Sequence, residues 1–127
     1  MCIHFTQLVA NPQEICKIVK MTMRNIRLTP FEIDAICTSF HTYFTSEDHL
    51  WIFGSRVNPN ARGGDIDLYI ETTIPDAVTV VDKNTAFVID LYDKIGEQKI
   101  DIVLNLVTRD HKLSIYEVAR EEGIQLV

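Results

Sequence analysis

Two acids one residue apart, Asp65 and Asp67, open an apolar run within the stretch Leu50 to Glu71, LWIFGSRVNPNARGGDIDLYIE. In a strand successive side chains alternate faces, so these two carboxylates would project together while Ile66 and Leu68 point into a core. Carboxylates paired on an apolar strand repel one another and lose hydration, and a divalent cation with oxygen ligands is the simplest remedy. A third acid, Asp101, stands in a similar setting in KIDIVLNLV. Ahead of the pair, the apolar run Leu50, Trp51, Ile52, Phe53 ends at Gly54-Ser55, and a loop rich in Gly and Arg follows. The set describes a phosphate-holding turn, two strands and three converging carboxylates.

Each member also has an ordinary structural use. Gly-Ser after a strand is usually just a turn. Asp-x-Asp pairs occur at sheet edges and in loops, and Asp101 could guard an edge strand against aggregation. Arg56 could pair with Glu71 at the surface. Asp90 and Asp93 read as solvated positions on a helix face. The order and spacing of the set carry more information than any single residue.

Gly54-Ser55, nine intervening residues and Asp65-Ile66-Asp67-Leu68 resemble the signature of the DNA polymerase β-like nucleotidyltransferase superfamily, closely so for its minimal, single-domain (MNT-type) members. Phe53-Gly54-Ser55-Arg56 and Ala61-Arg62-Gly63-Gly64-Asp65-Ile66-Asp67-Leu68 carry the likeness, which extends over Leu28 to Val127. It implies an α/β (α+β) fold with a small mixed sheet flanked by helices. Residues 28-127 would form the nucleotidyltransferase domain, with 1-27 as a helical N-terminal extension.

The activity implied is Mg²⁺-dependent transfer of a nucleoside monophosphate from ATP or another nucleoside triphosphate to a hydroxyl. By resemblance, Asp65 and Asp67 would bridge two Mg²⁺ ions, and Asp101 would complete the ion nearest the attacking hydroxyl. Such ions, about 3.5–4 Å apart, neutralise both the attacking and the leaving oxygens. Gly54 would let the backbone approach the β- and γ-phosphates, with Ser55 offering a hydroxyl. Arg56 and Arg62 are candidate phosphate clamps, because a guanidinium donates two parallel bonds to phosphate oxygens.

The chain offers no obvious acceptor site of its own, so the acceptor is expected to come from outside. The resemblance implies a small helical partner protein, HEPN-type or similar, modified on tyrosine, with this chain as the antitoxin of a toxin-antitoxin pair. A module that neutralises a partner by contact alone and a small-molecule nucleotidyltransferase are the competing readings. An oligomer is left open.

The remaining composition sets bounds. A chain of 127 residues is one domain by length and can bury a sizeable core. Its net charge of −6 argues against a domain whose main task is gripping nucleic acid. Three cysteines, Cys2, Cys16 and Cys37, form no CxxC pair and read as buried or partly buried thiols of a reducing cytoplasm. The four histidines have no metal-ligand spacing. No apolar run approaches membrane-spanning length, so a cytoplasmic location is expected.

Several elements must position the acids. Thr29-Pro30-Phe31-Glu32 reads as a capping box opening a helix to about Phe44, its buried face formed by Phe31, Ile33, Ile36, Phe40 and Phe44. His49 to Phe53 and Asp65 to Glu71 read as strands. A helix over Ala77 to Ile95, capped by Asp76 and ended by Gly96, would bury Val78, Val81, Phe87, Val88, Leu91, Tyr92 and Ile95. Lys99 to Val107 is the third strand. Ser114-Ile115-Tyr116-Glu117 reads as another capping box, with Gly123 closing its helix. Ile124 to Val127 is a short strand or a packed tail.

Overall fold

In the computed structural model, residues 26–57, 64–109 and 112–127 are described. Helix α1 (Pro30–Tyr43) starts where the local chemistry requires. The Thr29 hydroxyl accepts the Glu32 N–H at 3.1 Å, and the Glu32 carboxylate accepts the Thr29 N–H at 2.9 Å. Ile36, Cys37 and Phe40 are buried, and Phe40 stacks on Phe44 with ring centroids 4.8 Å apart. Phe31 is a correction, being 64% exposed on the first turn, turned away from that face. Cys37 is a second, because it is disulfide-bonded and not a thiol.

Strand β1 (His49–Phe53) lies inside the sheet. It pairs antiparallel with β2 (Ile66–Thr72) on one side and with β4 (Ile124–Gln125) on the other. Strand β3 (Ile100–Leu106) runs parallel to β2, which makes a four-stranded mixed sheet in the order β3-β2-β1-β4. Parallel neighbours need a crossover, and helix α2 (Ala77–Ile95) supplies it. The Asp76 carboxylate caps its start by accepting from Thr79 N–H, and Gly96 at φ 83° ends it. Asp65 was expected as the first residue of β2, but the strand begins one residue later.

The buried side of α2 is Val80, Phe87 and Leu91. Val78, Val81 and Tyr92, expected in the core, are exposed, at 69%, 57% and 36%. Valines at 78, 80 and 81 make the first turn apolar on opposite sides, and only the side facing the sheet and α1 is covered. Asp90, read as solvated, accepts from the buried Ser39 hydroxyl of α1 at 2.7 Å and pairs with Lys94 at 3.1 Å. Those bonds hold its carboxyl below the usual range.

Helix α3 (Ser114–Glu122) has Leu113 as its cap, with no side-chain bond. The capping box expected at Ser114 and Glu117 does not form, because Ser114 is already helical and a capping residue must be extended. Gly123 caps the end of α3 in extended backbone, and only glycine fits there. A Cβ there would meet the carbonyl oxygens of Ala119 at 2.2 Å and Ile52 at 2.7 Å.

Alternation along the strands gives the sheet two faces. Leu50, Ile52, Ile66, Leu68, Ile70, Ile100, Ile102 and Leu104 meet Phe40, Phe87 and Leu91 in the main core under α1 and α2. The other face carries a smaller cluster, Trp51, Tyr69 and Val103, covered by Tyr116 and Ala119 of α3. Asp67 and Asp101 belong to this second face by the same alternation.

Candidate carboxylate site

Register brings the two strand acids together. Asp67 and Asp101 are direct partners across the parallel β2–β3 pair, while Asp67 also faces Phe53 of β1. Beyond Phe53 the chain enters a single 3₁₀ turn, Gly54–Val57. Gly54 adopts φ 73°, and a Cβ on it would lie 2.2 Å from Asp67 Oδ2. The Asp67 carboxylate therefore rests against bare backbone, which only glycine permits. Asp65 stands just ahead of β2. Burial, Asp101 and Asp65 together push the Asp67 carboxyl upward, and Lys99 offsets part of that.

Lys99 was not singled out in the sequence. Its ammonium lies 3.5 Å from Asp65 Oδ2 and 4.0 Å from Asp101 Oδ2. The Ile66 N–H donates to the Lys99 carbonyl at 2.9 Å, which roots this side chain beside Asp65. The only signal available in the sequence was a basic residue two positions before Asp101.

The candidate phosphate-binding residues are placed less simply. Ser55 Oγ reaches the Asp65 carbonyl at 3.4 Å, a long contact joining the turn to the start of β2. The Arg56 guanidinium donates to the carbonyls of Arg27 at 2.6 Å and Gly64 at 2.9 Å. In return Arg27 donates twice to the Ser55 carbonyl, at 3.2 and 2.8 Å, and its N–H reaches the Arg56 carbonyl at 2.8 Å. Two arginines thus lash the turn to the chain before α1, and Ile26 packs on the main core. The sequence reading placed residues 26 and 27 in the extension; the rest of that segment and Arg62 lie outside the described residues. Glu71 takes Arg120 as its ion-pair partner, at 3.4 Å, and not Arg56.

Whether these acids suit a metal is decided by two features. Among the described residues no three His, Cys, Asp or Glu side chains are grouped as a metal site. Nonetheless the donors are all hard oxygens, Gly54 lets the Asp67 carboxylate sit against bare backbone, and the Lys99 ammonium shows that two of the acids already share one positive charge. The donor set fits a hard divalent cation such as Mg²⁺.

Farther along the same face the side chains form a hydrogen-bonded line. Asn105 donates to the Tyr69 hydroxyl at 3.0 Å, and Tyr69 donates to Glu71 at 2.7 Å. Burial and the Glu71 bond push the Tyr69 phenol upward, so it stays protonated at neutral pH. These residues line a cavity of about 820 Å³ with Arg109, Lys112 and Tyr116.

No family model matches the chain, and no curated protein matches it. The class defined by the structure is mixed α/β, a four-stranded mixed sheet with three helices among the described residues. None of those helices is long and apolar enough to cross a membrane.

Proposed function

We propose that this protein is a Mg²⁺-dependent nucleotidyltransferase that moves a nucleoside monophosphate from ATP or another nucleoside triphosphate to a hydroxyl of a partner protein, as the antitoxin of a toxin-antitoxin pair. The observation that carries this reading is the direct pairing of Asp67 with Asp101, beside Asp65 and with Gly54 backbone against the Asp67 carboxylate. Asp65, Asp67 and Asp101 would hold Mg²⁺, which supplies charge neutralisation for an in-line displacement at the α-phosphate. In that displacement the acceptor oxygen bonds to phosphorus as the bond to pyrophosphate breaks. Gly54 would let the backbone approach the β- and γ-phosphates, and Ser55, whose hydroxyl now lies 3.4 Å from the Asp65 carbonyl, would offer a donor. Asp101 would help hold the ion and favour loss of the entering hydroxyl's proton. Partner and antitoxin role rest on the resemblance of the Gly-Ser and Asp-x-Asp motifs.

A second reading has its own observation. Arg56 is spent on backbone carbonyls and Lys99 already offsets two of the acids, as suits a nucleotidyltransferase-like module that neutralises its partner by contact. Co-expression with the product of the neighbouring gene separates the two. Intact mass should show that product heavier by one or more nucleotidyl groups. Asp101→Asn should abolish the added mass while the proteins still co-purify. A partner left unmodified yet fully inhibited by wild type and Asp101→Asn alike would replace the enzyme with the contact module. Modification of a small molecule with no partner present would instead move the acceptor class.

A further inference from the structure

We propose that Lys99 is a built-in counter-ion of the carboxylate cluster, which a divalent cation must displace, so that Lys99 sets the metal affinity and holds the metal-free site together. The inference rests on the metal-dependent reading above and concerns how that site is regulated. Lys99 Nζ reaches Asp65 Oδ2 at 3.5 Å and Asp101 Oδ2 at 4.0 Å, bridging an acid ahead of β2 to an acid on β3. Both separations exceed those of a good charged hydrogen bond, so the ammonium neutralises the pair without being locked to either. Its root is fixed, because the Lys99 carbonyl accepts the Ile66 N–H next to Asp65. The third acid, Asp67, also senses the charge of Lys99.

A hard cation would need the same carboxylate oxygens, and it carries the same sign of charge. The ammonium and the cation therefore exclude one another. The side chain is long and 69% exposed, so it has solvent to swing into when displaced. With these groups partly exposed, the competition is worth roughly tenfold in affinity.

The test uses Mn²⁺ alone, titrated calorimetrically into the full chain, with thermal melts in chelator and in Mn²⁺. Lys99→Met should bind Mn²⁺ about tenfold more tightly than wild type, equivalent to ~1.4 kcal/mol. In chelator it should melt below wild type, and Mn²⁺ should raise its melting temperature by more. Lys99→Arg keeps charge and reach, so it should stay close to wild type in both measurements. Lys83→Met, which removes a cation from the exposed side of α2, should change neither. Equal Mn²⁺ affinity in wild type and Lys99→Met overturns the role of Lys99 and leaves the metal reading standing. Binding by neither protein overturns both. A Lys99→Met protein that melts no lower than wild type in chelator overturns the counter-ion role.

Discussion

Gly54 is constrained by a contact as well as by a dihedral angle. Alanine there would have to adopt φ near 73° and place its methyl 2.2 Å from Asp67 Oδ2. The left-handed backbone alone costs an alanine about 1 kcal/mol, and the carboxylate must also move. Gly54→Ala should lower stability by about 1–2 kcal/mol in urea unfolding and, on the proposed function, abolish Mg²⁺-dependent ATP binding by calorimetry. Asp67 itself is held at an electrostatic cost, since burial and two neighbouring acids raise its carboxyl in the folded state. Asp67→Asn should therefore make the metal-free protein more stable at pH 7, by roughly 0.5 kcal/mol for a partly exposed like-charge contact. The sign with pH follows from the raised value. The folded wild type binds its proton more readily than the unfolded chain, so its penalty fades as pH falls through the raised value toward the ordinary carboxylate range. Denaturant unfolding in chelator at pH 7 and at pH 4 would show the gap closing.

Between elements, one buried join is made by Asp48, which was not singled out in the sequence. It is fully buried. Its carboxylate accepts from Thr45 N–H at 3.0 Å, Thr72 Oγ1 at 2.9 Å, and Thr73 N–H and Oγ1 at 2.8 and 3.1 Å. The loop ahead of β1 is thereby tied to the end of β2. Burial pushes this carboxyl up, but the hydrogen bonds outweigh it and leave it lowered. Asp48→Ala should cost about 3 kcal/mol, because several buried donors lose their acceptor together. That stabilisation is complete above the unfolded carboxylate value of about 3.9 and is lost as pH falls through the lower folded value. In acid titrations the wild type should accordingly converge on the variant.

On the scale of the whole molecule, the two sheet faces are unequally covered by the described residues. Helices α1 and α2 seal one over the main core, whereas α3 covers only part of the other and leaves the carboxylates reachable at the Gly54 end. A ligand of Asp65, Asp67 and Asp101 should consequently protect only part of the chain. Hydrogen exchange with Mg²⁺ and ATP present should slow at residues 54–57, 65–67 and 99–101 and stay unchanged in α1. No slowing there, or slowing spread evenly along the chain, would count against a nucleotide site at these acids.

The sequence alone determined what depends on near neighbours. The capping box at Thr29, the Asp76 cap, the Gly96 stop and the limits of β1 all form as local chemistry requires. The spacing of Asp65 and Asp67, and the placement of Asp101 on a third strand, were legible for the same reason. Only tertiary structure decided what depends on register and on which side is covered. The pairing of Asp67 with Asp101 and the place of Lys99 between two acids arise from the strands joined by the α2 crossover, and the Asp67 contact on Gly54 from the antiparallel register of β1 on β2. The use of Arg27 and Arg56 as lashings joins residues 28 or more positions apart. Helix α2 offered two apolar sides, and periodicity cannot rank them. The sheet and α1 select the one that loses water.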